Sequence, residues 1–182
     1  MDSKSTIAPI EAGAARRDLV ALLGGLCLFL STLEYLIPKP IPFLRVGIAN
    51  LPILIAVDLL PPGALFLVVL LKVVGQGLVS GTLVSYVFLF SAVGSFASAM
   101  AMLGARRLFG QGLSLVGVGV LGALFSNTAQ IVLARLLIFG EGAWLIAPPF
   151  LSIGTATAAL LGLFAERFQA GSRWLASLRR GA

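Results

Sequence analysis

The sequence predicts an all-α integral membrane protein with six transmembrane helices, and two observations lead to this prediction. Of the 182 residues, 59% are hydrophobic and 11% are charged, whereas soluble domains contain about 45–50% apolar residues. The hydrophobic residues also form several runs close to the roughly 20 residues that a membrane-spanning helix needs. A chain this short could not enclose so many helices that are apolar on every side within one soluble core.

The hydrophobic runs divide the chain into one membrane domain, 19–168, between two polar tails, 1–18 and 169–182. The predicted spans are Leu19–Ile37, Gly47–Leu60, Gly63–Leu83, Val84–Leu103, Leu113–Phe139 and Gly142–Phe168. The third and fourth spans follow each other without a polar loop. The second span is different, because its roughly 14 residues would rise only about 21 Å as a helix, less than the hydrocarbon core of about 30 Å. It also contains Pro52, so we predict a short or broken helix whose backbone groups are satisfied inside the protein.

The distribution of lysine and arginine predicts the orientation of these spans. With six spans, one side of the membrane receives nine of these cations, and the other side receives only Lys39 and Arg45. Positively charged residues are enriched on the cytoplasmic side, so we expect both termini to be cytoplasmic. The net charge of +6 then reflects membrane topology, and it gives no reason to expect a nucleic-acid partner.

Small residues recur at four-residue spacing within the spans. This spacing lets helix backbones approach closely, so we interpret it as a signal for helix packing. The motifs are Ala21-xxx-Gly25, Gly94-xxx-Ser98, Gly119-xxx-Ala123 and Gly154-xxx-Ala158-xxx-Gly162.

Polar side chains inside the spans predict a binding site. Such side chains are costly in a bilayer and usually face a cavity or a partner. Lys72, Gln76 and Ser80 are four residues apart and share one helix face, and the helical rise places most of the other polar residues in the outer half of the bilayer. An outward-facing cavity explains this clustering. The predicted substrate-binding residues are Glu34, Arg45, Asn50, Lys72, Gln76, Ser80, Asn127, Gln130 and Arg135.

The segment between the first two spans, EYLIPKPIPFLRVGIAN, has prolines at positions 38, 40 and 42. Each proline fixes its own φ and biases the residue before it toward an extended conformation. We therefore predict a stiff, polyproline-like strap that forms a lid or rim. Gly47 would then let the chain turn and bring Arg45 and Asn50 to the cavity that Glu34 borders.

A purely structural role is the alternative for the same residues. Glu34 could pair with Arg45 or Arg135, and Asn127 and Gln130 could form interhelical hydrogen bonds worth about 1 kcal/mol each. If the whole group instead faces a cavity, its three cations outnumber its one carboxylate by two charges. That excess favours an anionic or zwitterionic ligand.

Three stretches carry a family resemblance: EYLIPKPIPFLRVGIAN, GQGLVSGTLVSYVFLFSAVGSFASAMAM and GALFSNTAQIVLARLL. Over about Leu19 to Phe168 the chain resembles the Gx transporter family, also labelled heptaprenyl diphosphate synthase component I. That family is similar to the S components of energy-coupling factor vitamin transporters, which have six helices and an outward-facing site. The resemblance implies a multi-pass subunit of the bacterial plasma membrane that captures a vitamin-like or isoprenoid-related solute.

The resemblance also implies partners. An S component works with a transmembrane coupling protein and two ATPase subunits, and it docks through small residues on its first helix. Ala21 and Gly25 match that position here. The chain has no Walker A sequence of its own, so we do not expect it to bind ATP through a P-loop.

The synthase label makes a different prediction, because prenyl diphosphate chemistry needs clustered aspartates that hold magnesium. The acidic residues are isolated, the closest pair being Glu11 and Asp18; histidine is absent, and Cys27 is the single cysteine. We therefore expect no enzyme activity, no catalytic residue, no metal site and no cofactor. Two alternatives to uptake stay open: a non-catalytic subunit that presents an isoprenoid to a separate polyprenyl diphosphate synthase, and a scaffold without a ligand.

Overall fold

The computed structural model describes residues 4–36 and 47–172, and these residues form helices joined by short turns, with no β-strand among them. The α-helices are α1 (Lys4–Leu36), α2 (Leu51–Ala56), α3 (Pro62–Val79), α4 (Tyr86–Phe109), α5 (Leu115–Ala134) and α6 (Ala143–Gly171). A 3₁₀ turn, Ile48–Asn50, leads into α2, and a π-helical turn, Arg135–Phe139, extends α5. The predicted all-α fold class is confirmed for this part of the chain.

Three segments of the described chain are long and apolar enough to cross a membrane: Pro62–Val79, Tyr86–Gly112 and Leu115–Gly171, the last of which contains both α5 and α6. Their outer faces carry large apolar side chains. Leu145 and Leu160 on α6, for example, are 85% and 68% exposed. Lipid, not water, is the solvent that suits such a surface, and the chain is therefore a membrane protein.

Helix α2 has the short form that its sequence predicted. Pro52 lies in its first turn, where the missing N–H removes no helical hydrogen bond. Pro61 is extended and Pro62 begins α3, so the chain reverses soon after α2 ends. Every residue of α2 from Pro52 to Ala56 is buried, and its backbone is enclosed by the surrounding helices.

Two element boundaries differ from the predicted spans. Helix α1 begins at Lys4, well before Leu19, because the polar residues ahead of the apolar run continue the same helix. Helices α3 and α4, which the sequence left without a polar loop between them, are joined by a turn over residues 80–85. Gly81 has a φ of 65° there, in the left-handed region that glycine enters at little cost.

The largest hydrophobic cluster of the described residues lies at one end of the helix bundle. It joins α2 to the first half of the apolar part of α1, to α3 as far as Val73, to the end of α4, to the beginning of α5 and to Ala165 on α6. A partly buried ion pair closes this end: Arg106 Nε lies 2.8 Å from Asp58 Oδ1, and Arg106 Nη2 donates to Asp58 Oδ2 at 3.0 Å. Arg106 Nη1 also donates to the carbonyl of Leu113 at 2.6 Å. We call this region the core end.

Small residues bring α5 and α6 together. A Cβ atom on Gly162 would lie 2.5 Å from Val116 Cα, and one on Gly119 would lie 3.4 Å from the carbonyl oxygen of Ala158. Larger side chains would push these two helices apart. The packing role predicted for the small-residue motifs is therefore observed at this interface.

Candidate functional site

A cavity of about 530 Å³ lies between the helices, beyond the core end. Side chains from all six helices and from the 3₁₀ turn line it. Its polar lining residues are Ser31, Glu34, Asn50, Lys72, Gln76, Ser80, Thr82, Ser91, Ser95, Ser98, Ser126, Asn127 and Gln130. Seven of the nine residues predicted to bind substrate are in this group, so the polar positions chosen from the sequence do converge on one cavity.

Lys72 is the buried cation of the described lining, with 3% of its surface exposed. Its ammonium donates hydrogen bonds to Asn50 Oδ1 and, at 3.1 Å, to Ser95 Oγ. These bonds offset part of the cost of removing the charge from water. They also connect α3 to α4 and to the segment that enters α2, so Lys72 sits at the junction of three elements around the cavity.

Glu34 supports the same segment from α1. Its carboxylate accepts hydrogen bonds from the backbone N–H of Gly47 at 3.2 Å and of Ala49 at 3.5 Å. The N–H groups at the start of a helix have no partner within the helix, and a carboxylate there also complements their partial positive charge. Gly47 has a φ of 81°, the left-handed conformation that the predicted turn requires. Glu34 thus helps to place Asn50 beside Lys72.

Arg135 does not line the cavity, which corrects its predicted placement. It lies on the π-helical turn, where Nε donates to Glu141 Oε1 at 3.1 Å and the guanidinium lies 5.7 Å from the centre of the Trp144 ring. Arg135 follows Gln130 by five residues, about 140° around a helix of 3.6 residues per turn. It therefore faces away from the side that Gln130 presents to the cavity.

Arg45, Lys39 and the strap prolines at 38, 40 and 42 lie outside the described residues. The net charge of the described lining therefore differs from the net charge that the sequence predicted for the whole site. Within the described lining, Lys72 and Glu34 are the charged side chains, one positive and one negative. The predicted excess of two positive charges is therefore not found in this part of the site.

Two of the cavity amides also join helices; the structural alternative expected this of Asn127 and Gln130, and Asn127 is one of the two, whereas the bond from Gln130 to Ser126 lies within α5. Asn127 Nδ2 on α5 donates to the carbonyl of Phe150 on α6 at 3.4 Å. Gln76 Oε1 on α3 accepts from Ser91 Oγ on α4 at 3.3 Å. A packing role and a binding role are compatible for these residues, since each side chain has a second polar atom.

Three buried polar atoms of the lining have no hydrogen-bond partner within the described part of the chain: Ser31 Oγ, Ser98 Oγ and Gln130 Oε1. Their side chains belong to residues that are only 2%, 2% and 6% exposed. The other end of the Gln130 amide is fixed, because Nε2 donates to Ser126 Oγ at 3.0 Å. Buried polar groups in proteins are nearly always paired, so these three atoms mark places where a bound molecule could complete the hydrogen bonding.

The hydroxyl groups of α4 are the main residues that the sequence reasoning missed. Ser91, Ser95 and Ser98 recur at spacings of four and three residues and so share one helix face. These three serines were not predicted because serine barely changes hydropathy; Ser80 was predicted from its four-residue spacing to Gln76 and Lys72. The i, i+4, i+7 spacing within SAVGSFAS was the signal that could have found this face.

Two glycines make room for the cavity amides. A Cβ atom on Gly154 would lie 2.0 Å from Asn127 Nδ2, and one on Gly94 would lie 2.5 Å from Gln130 Nε2. Both glycines come from small-residue motifs that were interpreted as packing. Here the close packing also sets the positions of two side chains that face the cavity.

Ala21 and Gly25, the predicted docking residues, are exposed on α1, and the space beside Gly25 is open. No group of three or more histidine, cysteine, aspartate or glutamate side chains that could hold a metal ion occurs in residues 4–36 and 47–172.

The fold and the cavity define an all-α membrane protein with a polar site enclosed by its helices. The family model described as heptaprenyl diphosphate synthase component I matches residues 23–168 of the chain, and the chain belongs to this family. The family predicted from the three sequence stretches is thereby confirmed. No curated protein and no solved structure matches the chain.

Proposed function

We propose that this protein is a non-catalytic membrane subunit that binds a small polar solute in its cavity and takes part in the uptake of that solute. The observation that carries the proposal is a set of three buried polar atoms, on Ser31, Ser98 and Gln130, that have no hydrogen-bond partner among the described residues and surround a cavity of about 530 Å³. A binding site tolerates such atoms, because the ligand supplies their partners. A purely structural cluster would leave their desolvation uncompensated.

The proposed topology has six membrane passages and cytoplasmic termini in the bacterial plasma membrane. In it, α1 makes the first passage, the 3₁₀ turn with α2 makes the short second one, and α3 to α6 make the rest. Arg106 and Arg107, at the end of α4, then lie on the cytoplasmic side, as the positive-inside rule favours. The cavity lies toward the opposite side and would face outward.

The charges of the described lining favour a zwitterionic solute. The ammonium of Lys72 and the carboxylate of Glu34 lie within one polar lining, and a ligand with both signs of charge could complement it. Arg45, if it joined them, would shift the preference toward an anion. Both ligand types fall within the vitamin-like class that the family resemblance implies.

The first helix is the proposed docking surface for a coupling protein with two ATPase subunits. Ala21 and Gly25 are exposed there, together with Leu22, Leu26 and Phe29, which are 54%, 40% and 59% exposed. Small residues within such an apolar face allow close approach of a partner helix. This feature supports the partner that an S component would need.

The family description favours a second candidate, an accessory subunit of a polyprenyl diphosphate synthase. Within the described lining, Glu34 is the single carboxylate. Prenyl transfer depends on clustered carboxylates that hold magnesium against the diphosphate, so in this case a separate subunit would supply them. The chain would then present or retain an isoprenoid at the membrane.

Native mass spectrometry of the purified protein tests the binding function. We expect wild-type protein to retain a small molecule and the Gln130→Leu variant to lose it, since leucine removes the unpartnered acceptor. Gln111→Leu is the matched control, because Gln111 is exposed on the turn between α4 and α5 and outside the cavity. Equal retention by all three proteins, with equal thermal stability, would contradict the assigned site.

Copurification separates the two candidate functions. An ATPase module that copurifies with the protein supports uptake, and a soluble aspartate-rich synthase supports the accessory role. If neither partner appears and wild-type protein retains no molecule, the chain is a scaffold, and both candidates are wrong.

A further inference from the structure

The two ends of the cavity differ in their chemistry. Beside Glu34, Lys72 and Gln130 the lining is rich in hydroxyl, amide and charged groups, although Val87 and Phe90 also border it. We call this the polar zone. Toward the core end the lining consists of Leu54, Met102, Gly119, Ala123, Ala158 and Leu161, which we call the apolar zone.

Close contacts border the apolar zone at two points. A Cβ atom on Gly119 would lie 3.2 Å from Leu54 Cδ2 and 3.4 Å from the carbonyl oxygen of Ala158, so α2, α5 and α6 meet at the first point. A Cβ atom on Gly122 would lie 2.5 Å from Met102 Cε, so α4 and α5 meet at the second point. The Ser98 hydroxyl also lies at the second point, with its Oγ 2.9 Å from the same Gly122 position.

Helix α4 gives the separation of the two zones. Ser91 belongs to the polar zone and Met102 to the apolar zone, and both line the cavity. The helical rise of 1.5 Å per residue puts them about 16 Å apart. A ligand that fills the cavity must therefore contact both kinds of lining.

We propose that the ligand is a small amphiphile, with a zwitterionic head in the polar zone and a slender, unbranched apolar tail in the apolar zone. This inference rests on the proposed binding function and specifies its substrate class. Gln130 Oε1 has no partner within the described residues, and an ammonium group of the head is a suitable donor. A ligand that is polar throughout would leave its own groups unpaired beside Leu54 and Met102, and an apolar one would leave the polar zone unsatisfied.

The charge of the described lining favours a head without net charge over a strongly charged one. Lys72 and Glu34 contribute opposite charges, so a head with no net charge is matched. A diphosphate head would bring several negative charges to a lining that contains one ammonium and one carboxylate. The tail must be slender because the helices around the apolar zone pack closely. The small residues Gly119, Ala123 and Ala158 leave the room for it there.

Straight-chain amino acids are suitable probes, since alanine, norvaline and norleucine share a zwitterionic head and differ in tail length. Binding to the purified wild-type protein is measured by calorimetric titration. We expect affinity to rise about fourfold per methylene group that becomes buried, or roughly 60-fold from alanine to norleucine. Geranyl diphosphate, with an apolar tail and a polyanionic head, should bind more weakly than norleucine.

Two variants of α6 locate the tail. Ala158→Leu fills the apolar zone, so it should lower the affinity for norleucine much more than the affinity for alanine, and the dependence on tail length should largely disappear. Ala156→Leu is the matched control, because Ala156 is exposed on the same helix. It should keep the full dependence on tail length.

Several results would overturn the inference while leaving the proposed function intact. These are equal affinity for all three amino acids, an unchanged length dependence in Ala158→Leu, or tighter binding of geranyl diphosphate than of norleucine. The same holds if native mass spectrometry shows a retained molecule that no amino acid of the series displaces. If the wild-type protein retains no molecule and binds none of the probes, the proposed binding function itself is wrong, and the inference fails with it.

Discussion

Replacing Lys72 by methionine separates the structural and functional roles of the buried cation. Methionine keeps the length of the side chain and removes its charge. A lysine at the centre of a membrane helix costs about 2.5–3.5 kcal/mol. Its two hydrogen bonds, to Asn50 and Ser95, return about 3 kcal/mol together if each is worth about 1.5 kcal/mol, so the two contributions nearly cancel. Because the Ser95 hydroxyl can rotate and Asn50 is only half-buried beside the cavity, the acceptors left behind can find other partners. We therefore expect the ligand-free stability of Lys72→Met to be unchanged or higher.

Ligand affinity should respond differently, with a loss of at least tenfold, about 1.4 kcal/mol. The measurements are thermal unfolding without ligand, and titration with the small molecule that native mass spectrometry identifies in the wild-type protein. Lys72→Arg should give an intermediate affinity, since a planar guanidinium keeps the charge but not the shape of the ammonium. A large loss of stability with affinity retained would refute the reasoning. It would show that Lys72 is a structural crosslink between α3, α4 and the segment that enters α2.

Three further predictions test the topology, the core end and the strap. Cysteines placed at Ser3 and Ser177 should be protected from an impermeant thiol reagent in intact cells, and a cysteine placed at Lys39 should be labelled. The reverse labelling pattern would show that the proposed orientation is wrong. Arg106→Met should lower the stability measured by thermal unfolding by about 1–3 kcal/mol, because it leaves the partly buried carboxylate of Asp58 without its partner. Adding Asp58→Asn should recover part of the loss, and full additivity of the two changes would contradict the pairing. Replacing the three strap prolines by alanine should weaken ligand binding without impairing insertion of the protein into the membrane, since a strap with freer backbone dihedrals loses more entropy when it closes over the ligand. An unchanged affinity in calorimetric titration would show that the strap only connects the two spans.

The sequence was sufficient for the fold class and for much of the cavity lining, for identifiable physical reasons. A bilayer permits few polar side chains, so each one that occurs within an apolar run is informative. The spacing of Lys72, Gln76 and Ser80 then identified one face of α3, and all three residues line the cavity. Asn127 and Gln130 were found in the same way on α5.

Other features depend on information that spacing does not contain. Helical rise gives the depth of Arg135, but its direction depends on the angle from Gln130, about 140° around the helix, and Glu141 offered a partner nearby in sequence. The serine face of α4 was overlooked because one serine costs little to bury. The predicted first span begins at Leu19, whereas α1 begins at Lys4, since polar residues can extend a helix beyond an apolar run.

The shortness of helix α2 explains why the helix bundle has a cavity. Helix α2 lies within the core end, where Ile53, Leu54 and Ala56 are 1%, 3% and 0% exposed. A second helix long enough to span the membrane would continue past Asn50 into the space between α1, α3, α4, α5 and α6. Instead the chain enters through Gly47 and the 3₁₀ turn, and Leu54 becomes part of the floor of that space. Because the end of a helix is itself polar, the same shortening that opens the cavity also supplies N–H groups to its wall, where Glu34 binds them. Helix α2 and Glu34, thirteen residues before Gly47, therefore act together. The short helix leaves space for the cavity, and the Glu34 carboxylate binds the N–H groups of the turn that leads into the helix. The result is a polar site between the helices of the bundle.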